Sequence, residues 1–174
     1  MRYIELDTPA LLIDRERLTK NLKDMQSYAD AHGVALRPHT KTHKCPEIAK
    51  LQLAAGACGI AVAKVGEAEA MAEAGLDDLF IANEIVGEAK LRRIAALAKR
   101  GVKLTFGVDT PCQVTAAESV FAQEGVSVPV LVEIEVGENR SGVIEEADFL
   151  ALLDTIRICP HVPFGGIFSH DGNS

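Results

Sequence analysis

The chain alternates short apolar runs with longer stretches in which apolar residues return every three or four positions. Runs at Pro9–Ile13, Val34–Pro38, Gly59–Ala63, Asp78–Ala82, Lys103–Val108, Val128–Val136 and Phe164–Ser169 are mostly aliphatic and read as strands. Between them lie helical patterns at Arg15–Ala31, Pro46 to about Ala55, Val65–Ala74, Gly87–Arg100, Pro111–Gln123 and Glu145–Ile158. In the first of these, Leu18, Leu22, Met25, Tyr28 and Ala29 fall at helical spacing. Pro46 suits a first helical turn, where its missing N–H costs nothing. Asp109 or Thr110 offers a side-chain cap for the helix that begins at Pro111.

Strands that alternate with helices predict βαβ units and a parallel sheet. A doubly wound sheet usually opens on a glycine-rich turn of the form G-x-G-x-x-G, and none follows any strand here. The expected fold is therefore α/β, a (β/α) barrel. A closed eight-stranded barrel takes roughly 250 residues, whereas this chain has 174 and ends directly after a strand. The expectation is one domain over residues 1–174, an incomplete barrel that is a fragment, a truncated gene product or one half of something assembled.

Composition narrows the function. Hydrophobic residues make up 48% and charged residues 25%, ordinary globular usage with enough apolar material for a core. The net charge is −7, Trp is absent and no basic stripe is visible, which argues against nucleic acid as a partner. No apolar stretch approaches the ~20 residues of a membrane helix. Cys45, Cys58, Cys112 and Cys159 form no C-x-x-C pair, so neither a zinc knuckle nor a disulfide framework is expected. The start shows no signal-peptide pattern. These features predict a reduced, cytoplasmic protein.

Barrel active sites lie at the carboxyl ends of the strands. There the sequence places Arg37, His39, Lys41, His43 and Lys44, then Asn83 and Glu84, then Asp109, then Glu138 and Arg140, and finally Ser169, His170 and Asp171. If residues 39–43 are extended, His39, Lys41 and His43 share one face. Cationic neighbours favour the neutral form of an amine, the form that Schiff-base chemistry requires. On the residues alone, the segment reads either as this or as a solvated basic loop. His39 and His43 with Glu47 are a weaker option for zinc, because the intervening lysine repels a cation. Arg140 suits an anion or a surface ion pair. His170 suits acid–base work, imidazole being the side chain that titrates near neutrality, or simply orients a turn.

One string goes further. Arg37-Pro38-His39-Thr40-Lys41-Thr42-His43-Lys44 resembles the R-P-H-x-K-T-H-K signature of the D-threonine aldolase and eukaryotic-type D-serine dehydratase family, alanine racemase-like enzymes of fold type III that use pyridoxal phosphate (PLP). Asp7-Thr8-Pro9 through Asp14, Glu133 through Val143, and Gly166 through Ser174 are similar to further segments of that family, in the same order. The resemblance implies an incomplete TIM barrel of the alanine racemase N-terminal type, with about six of eight barrel strands and without the carboxy-terminal β-domain. It implies that Lys41 carries PLP, that Arg140 lies near the cofactor's phenolic oxygen, and that His39 and His170 line the cofactor pocket, His170 with a catalytic role. The Pro9–Ile13 strand would belong with the second domain. The family's His-x-Cys metal pair and late phosphate-binding loops have no counterpart here, so a divalent metal, zinc or manganese, is expected only in the complete protein. The implied activity is lyase chemistry on D-β-hydroxy amino acids, in a homodimer. The Ser169-His170-Asp171-Gly172 form favours the dehydratase branch. Alternatives are a non-catalytic PLP-binding protein, an inert truncated product, and an amino-acid racemase.

Overall fold

Five parallel strands pair in sequence order, β1 (Ile60–Val62), β2 (Asp78–Glu84), β3 (Lys103–Val108), β4 (Val130–Glu133) and β5 (Phe164–Phe168), in the computed structural model, which describes residues 2–172. Each new strand is added beside the last, and the order never reverses. That separates a barrel from a doubly wound sheet, whose strand order turns back at a switch point. Six helices accompany the strands: α1 (Arg15–Ala31), α2 (Pro46–Ala55), α3 (Val65–Glu73), α4 (Glu88–Lys99), α5 (Pro111–Glu124) and α6 (Glu146–Arg157). Their limits follow the sequence expectation within a residue or two. Asp14 caps α1 by accepting from Arg17 N–H, and Pro46 and Pro111 open α2 and α5.

The core lies between sheet and helices. Val62, Leu79, Ile81, Phe106, Val108, Val130 and Val132 are buried with Ile94, Ala95, Ala117 and Phe121 of α4 and α5. Phe106 of β3 meets Phe121 of α5 edge to face, with ring centroids 6.0 Å apart. The other sheet face belongs to the barrel interior. It carries Ala61, Phe80, Ala82, Glu133 and Phe168. Alternation along each strand divides the two environments.

Three expected strands differ. Residues 34–39 form no named strand, but they run beside β1. Cys58 N–H donates to Leu36 O, Ala61 N–H donates to Pro38 O, and His39 bridges Ala61 in parallel. With this segment the arc has six of the eight positions of a full barrel. Pro9–Ile13, in contrast, is in no sheet: Leu11, Leu12 and Ile13 are exposed and no ladder partner exists among the described residues. An apolar run becomes a strand only where a neighbour supplies hydrogen bonds. The strand expected over 128–136 shortens to β4 because Gly137 turns with φ of +115° and Ile134 bridges to Val143 instead.

Among the described residues β5 pairs with β4 alone, and Phe164 and Ile167 are exposed. No helix among the described residues is long and apolar enough to cross a membrane.

Candidate active site

At the carboxyl end of the arc lies a cleft of about 570 Å³. The expected residues His39, Lys41, Arg140 and His170 all line it. They come from three separate places: the segment before α2, the loop after β4, and the end of β5.

Lys41 sits in a single 3₁₀ turn, Thr40–Thr42. Thr40 is fully buried and its hydroxyl donates to Ala61 O of β1 at 3.3 Å. His39 Nδ1 accepts the Lys41 N–H at 3.2 Å, which in the neutral ring places the proton on Nε2. Burial, and then the charge of Lys41, hold His39 below its ordinary 6.5. The turn also corrects one expectation. Because residues 40–42 curl rather than extend, His43 does not share the face of His39 and Lys41. Its Nδ1 instead accepts from Cys45 N–H at 3.0 Å, and it is absent from the cleft lining. A zinc site on His39, His43 and Glu47 is therefore not assembled.

Lys44 ends the turn with φ of +49°, and its ammonium pairs with Glu67 of α3. Glu67 is buried and also accepts from Ala63 N–H at 2.8 Å. Burial alone would raise its pKa. The Lys44 contact, the Ala63 N–H and the nearby Lys64 charge outweigh that and hold the carboxyl below 4.5. A carboxylate with a depressed folded pKa contributes stability above its unfolded pKa and loses it as pH falls through the folded value. We therefore expect Lys44→Met to cost about 1–3 kcal/mol at neutral pH, the penalty of an unpaired buried group. The difference from the parent should shrink as pH drops below 4.5, and denaturant unfolding across pH measures it. A loss that stayed constant into acid would mean that only packing was removed.

Arg140 is presented by a loop that Glu135 organises. Glu135 Oε1 accepts from Gly137 N–H at 2.8 Å and Asn139 N–H at 2.7 Å, and Asn139 takes φ of +53°. Gly142 closes the loop with φ of +98°, and a Cβ there would lie 2.7 Å from Glu135 N. The Arg140 guanidinium stands 3.9 Å from Glu133, whose side chain is nearly fully buried. His170 Nδ1 is buried and lies 3.7 Å from Glu138 Oε2, outside hydrogen-bond reach. Asn173 and Ser174, the end of the last sequence segment, are outside the described residues.

The floor holds Arg37, which pairs with Asp78 at 2.7 Å. Gly59 leaves room for that guanidinium, since a Cβ would lie 2.1 Å from it. Phe80 and Phe168 meet edge to face at 5.1 Å. Sequence reasoning missed Glu133 as a site residue. Its signals were a carboxylate in a mostly apolar strand and its place at the head of the Glu133–Val143 segment that resembles the family. Glu84 was visible only as one polar strand end among several.

Primary amine, guanidinium and imidazole thus surround one pocket, a donor set that fits an aldehyde with anionic oxygens. Among the described residues, no three His, Cys, Asp or Glu side chains are placed to hold a metal ion.

Comparison with known proteins shows the family and the fold. Residues 13–174 match the family model "Alanine racemase, N-terminal domain". The chain is 45% identical to a D-threonine aldolase of Arthrobacter sp., covering 97% of this chain and 44% of that protein. It is 37% identical to the D-threo-3-hydroxyaspartate dehydratase of Delftia sp. (strain HT23), covering 98% and 45% respectively. The crystal structure of D-threonine aldolase from Filomicrobium marinum superposes with a TM-score of 0.91 at 40% identity, over 96% of this chain and 45% of that one. The chain therefore spans less than half the length of these relatives. With the family model covering nearly all of it and the fold superposing throughout, the chain belongs to the alanine racemase N-terminal domain family.

Proposed function

We propose that Lys41 carries pyridoxal phosphate, and that a protein of the relatives' length built on this chain is a lyase for D-β-hydroxy amino acids. The observation that carries this reading is the convergence of Lys41, His39, Arg140 and His170 on one cleft at the strand ends. The names of the relatives support the lyase class, since they include D-threonine aldolase, 3-hydroxy-D-aspartate aldolase, D-threo-3-hydroxyaspartate dehydratase and D-serine dehydratase.

When bound, the cofactor supplies an electron sink for bonds at the substrate's α-carbon. Lys41 holds it, with an exposed amine on a backbone fixed by Thr40 and His39. Arg140 offers a guanidinium to an anionic oxygen. His39 remains neutral beside the amine and adds no charge to the pocket. His170 holds or moves a proton at an imidazole nitrogen on the opposite rim. Where that proton comes from decides the outcome. Removal from the β-hydroxyl leads to Cα–Cβ cleavage, and removal from Cα leads to loss of the hydroxyl. The described residues offer no ligand set for the divalent metal implied by the family resemblance, and no step here depends on it.

The test is product analysis on a protein of the relatives' length, supplied with PLP and a divalent metal. Glycine and acetaldehyde from D-threonine identify an aldolase. Ammonia and pyruvate from D-serine identify a dehydratase. Racemisation alone, or no turnover of any D-β-hydroxy amino acid, contradicts the lyase reading.

A further inference from the structure

The cleft contains two carboxyl groups that the chemistry above does not use. Glu84 ends β2 and Glu133 ends β4, on either side of β3. Both line the one cleft at the strand ends. The β2–β3 register shifts between Ile81 and Glu84, so that Glu84, rather than Ala82, pairs with Gly107. Gly107 has no side chain, and the Phe168 ring and the Asn83 backbone pack against it. A Cβ there would lie 2.8 Å from the Phe168 ring tip and 3.1 Å from the Asn83 backbone.

Their surroundings are unequal. Glu133 is 3% exposed, with the Arg140 guanidinium 3.9 Å away. Glu84 Oε1 is buried with no hydrogen-bond partner among the described residues. Asp109, the third carboxyl nearby, is already engaged by Gln113 Nε2 at 2.9 Å and Gly142 N–H at 3.3 Å. Lys41, His39 and His170 line the same cleft but form no ion pair with Glu84 or Glu133 among the described residues. Arg140 is thus the one cation paired with either carboxyl among the described residues, in a site partly closed to water. Two like charges in such a place are unfavourable, and one group keeps its proton.

We propose that Glu84 and Glu133 share one proton, Glu84 donating it to the Glu133 carboxylate, and that the single negative charge left on the pair positions Arg140 in the cleft. Burial, and then the Glu133 carboxyl, raise Glu84 to about 8, in the direction this arrangement requires. With one proton shared, Arg140 and the pair are electrically neutral together. Loss of that proton adds a second negative charge and draws the guanidinium toward the carboxyls, away from any anionic ligand. The last consequence rests on the role assigned to Arg140 above. The shared proton itself does not.

The experiment therefore uses the 174-residue chain without cofactor. Glutamate carboxyl carbons are followed by ¹³C NMR and Arg140 Nε by ¹⁵N NMR across pH, with Glu84→Gln assigning the Glu84 signal. Expected are a Glu84 midpoint well above its ordinary 4.5, an Arg140 resonance that moves with the same midpoint, and loss of that movement in Glu84→Gln. Glu133→Gln should lower the Glu84 midpoint. If that variant does not fold, the parent and Glu84→Gln titrations decide. A Glu84 midpoint near 4.5, or an Arg140 signal that stays still while Glu84 titrates, overturns the proposal. Either failure would leave PLP capture by Lys41 standing, and failure of PLP capture would leave these titrations unchanged.

Discussion

Lys41→Ala is expected to reduce specific PLP capture to the background of ordinary surface lysines, measured as visible absorbance and as the mass added after borohydride reduction. The reason is positional. Thr40 anchors the turn to Ala61 and His39 accepts the Lys41 N–H, so the side chain leaves from a fixed backbone. Lys44, three residues on, is not a substitute because its ammonium is held by Glu67. Lys41→Arg should fail equally. Guanidinium keeps the positive charge but does not deprotonate in proteins, so it offers no amine to an aldehyde. If Lys41→Arg retained capture, the site would bind PLP by charge alone, and the covalent reading would be wrong.

Phe106→Ala should be the most destabilising of the substitutions considered, at about 3–5 kcal/mol for a buried Phe truncated to Ala. Against a typical domain stability of about 5–15 kcal/mol, that is a large fraction. Phe106 is fully buried and packs on Phe121 across the β3–α5 layer. β3 also separates Glu84 from Glu133, so its loosening reaches the cleft. Denaturant unfolding at fixed pH measures the loss. A change under about 1 kcal/mol, the level of a volume-conserving swap, would mean that β3 does not rest on α5 as described.

What the sequence revealed, and where it fell short, follows from the range of each interaction. The helices were legible to within a residue or two because periodicity, Pro46, Pro111 and the Asp14 cap are local signals. The parallel order followed from alternation of elements. Pro9–Ile13 pairs with nothing among the described residues, and an apolar run does not reveal whether a partner strand exists. His43 was placed beside His39 by assuming an extended backbone. The 3₁₀ turn that removes it depends on Thr40 reaching Ala61, twenty-one residues away. Glu84 and Glu133 lie forty-nine positions apart and reach one cleft only through the stacking of β2, β3 and β4, with a register shift before Glu84. No local pattern encodes that. Lys41, Arg140 and His170 were legible for a different reason: each lies in a motif that the family resemblance assigned, and the fold then brought them to one cleft.

The most direct measurement is peptide mapping of the parent chain after brief exposure to substoichiometric PLP and reduction with borohydride. The added mass should reside on the peptide that carries Lys41, in large excess over those carrying Lys20, Lys64 or Lys103. Label spread among the lysines according to their solvent exposure, with no preference for position 41, would contradict the account.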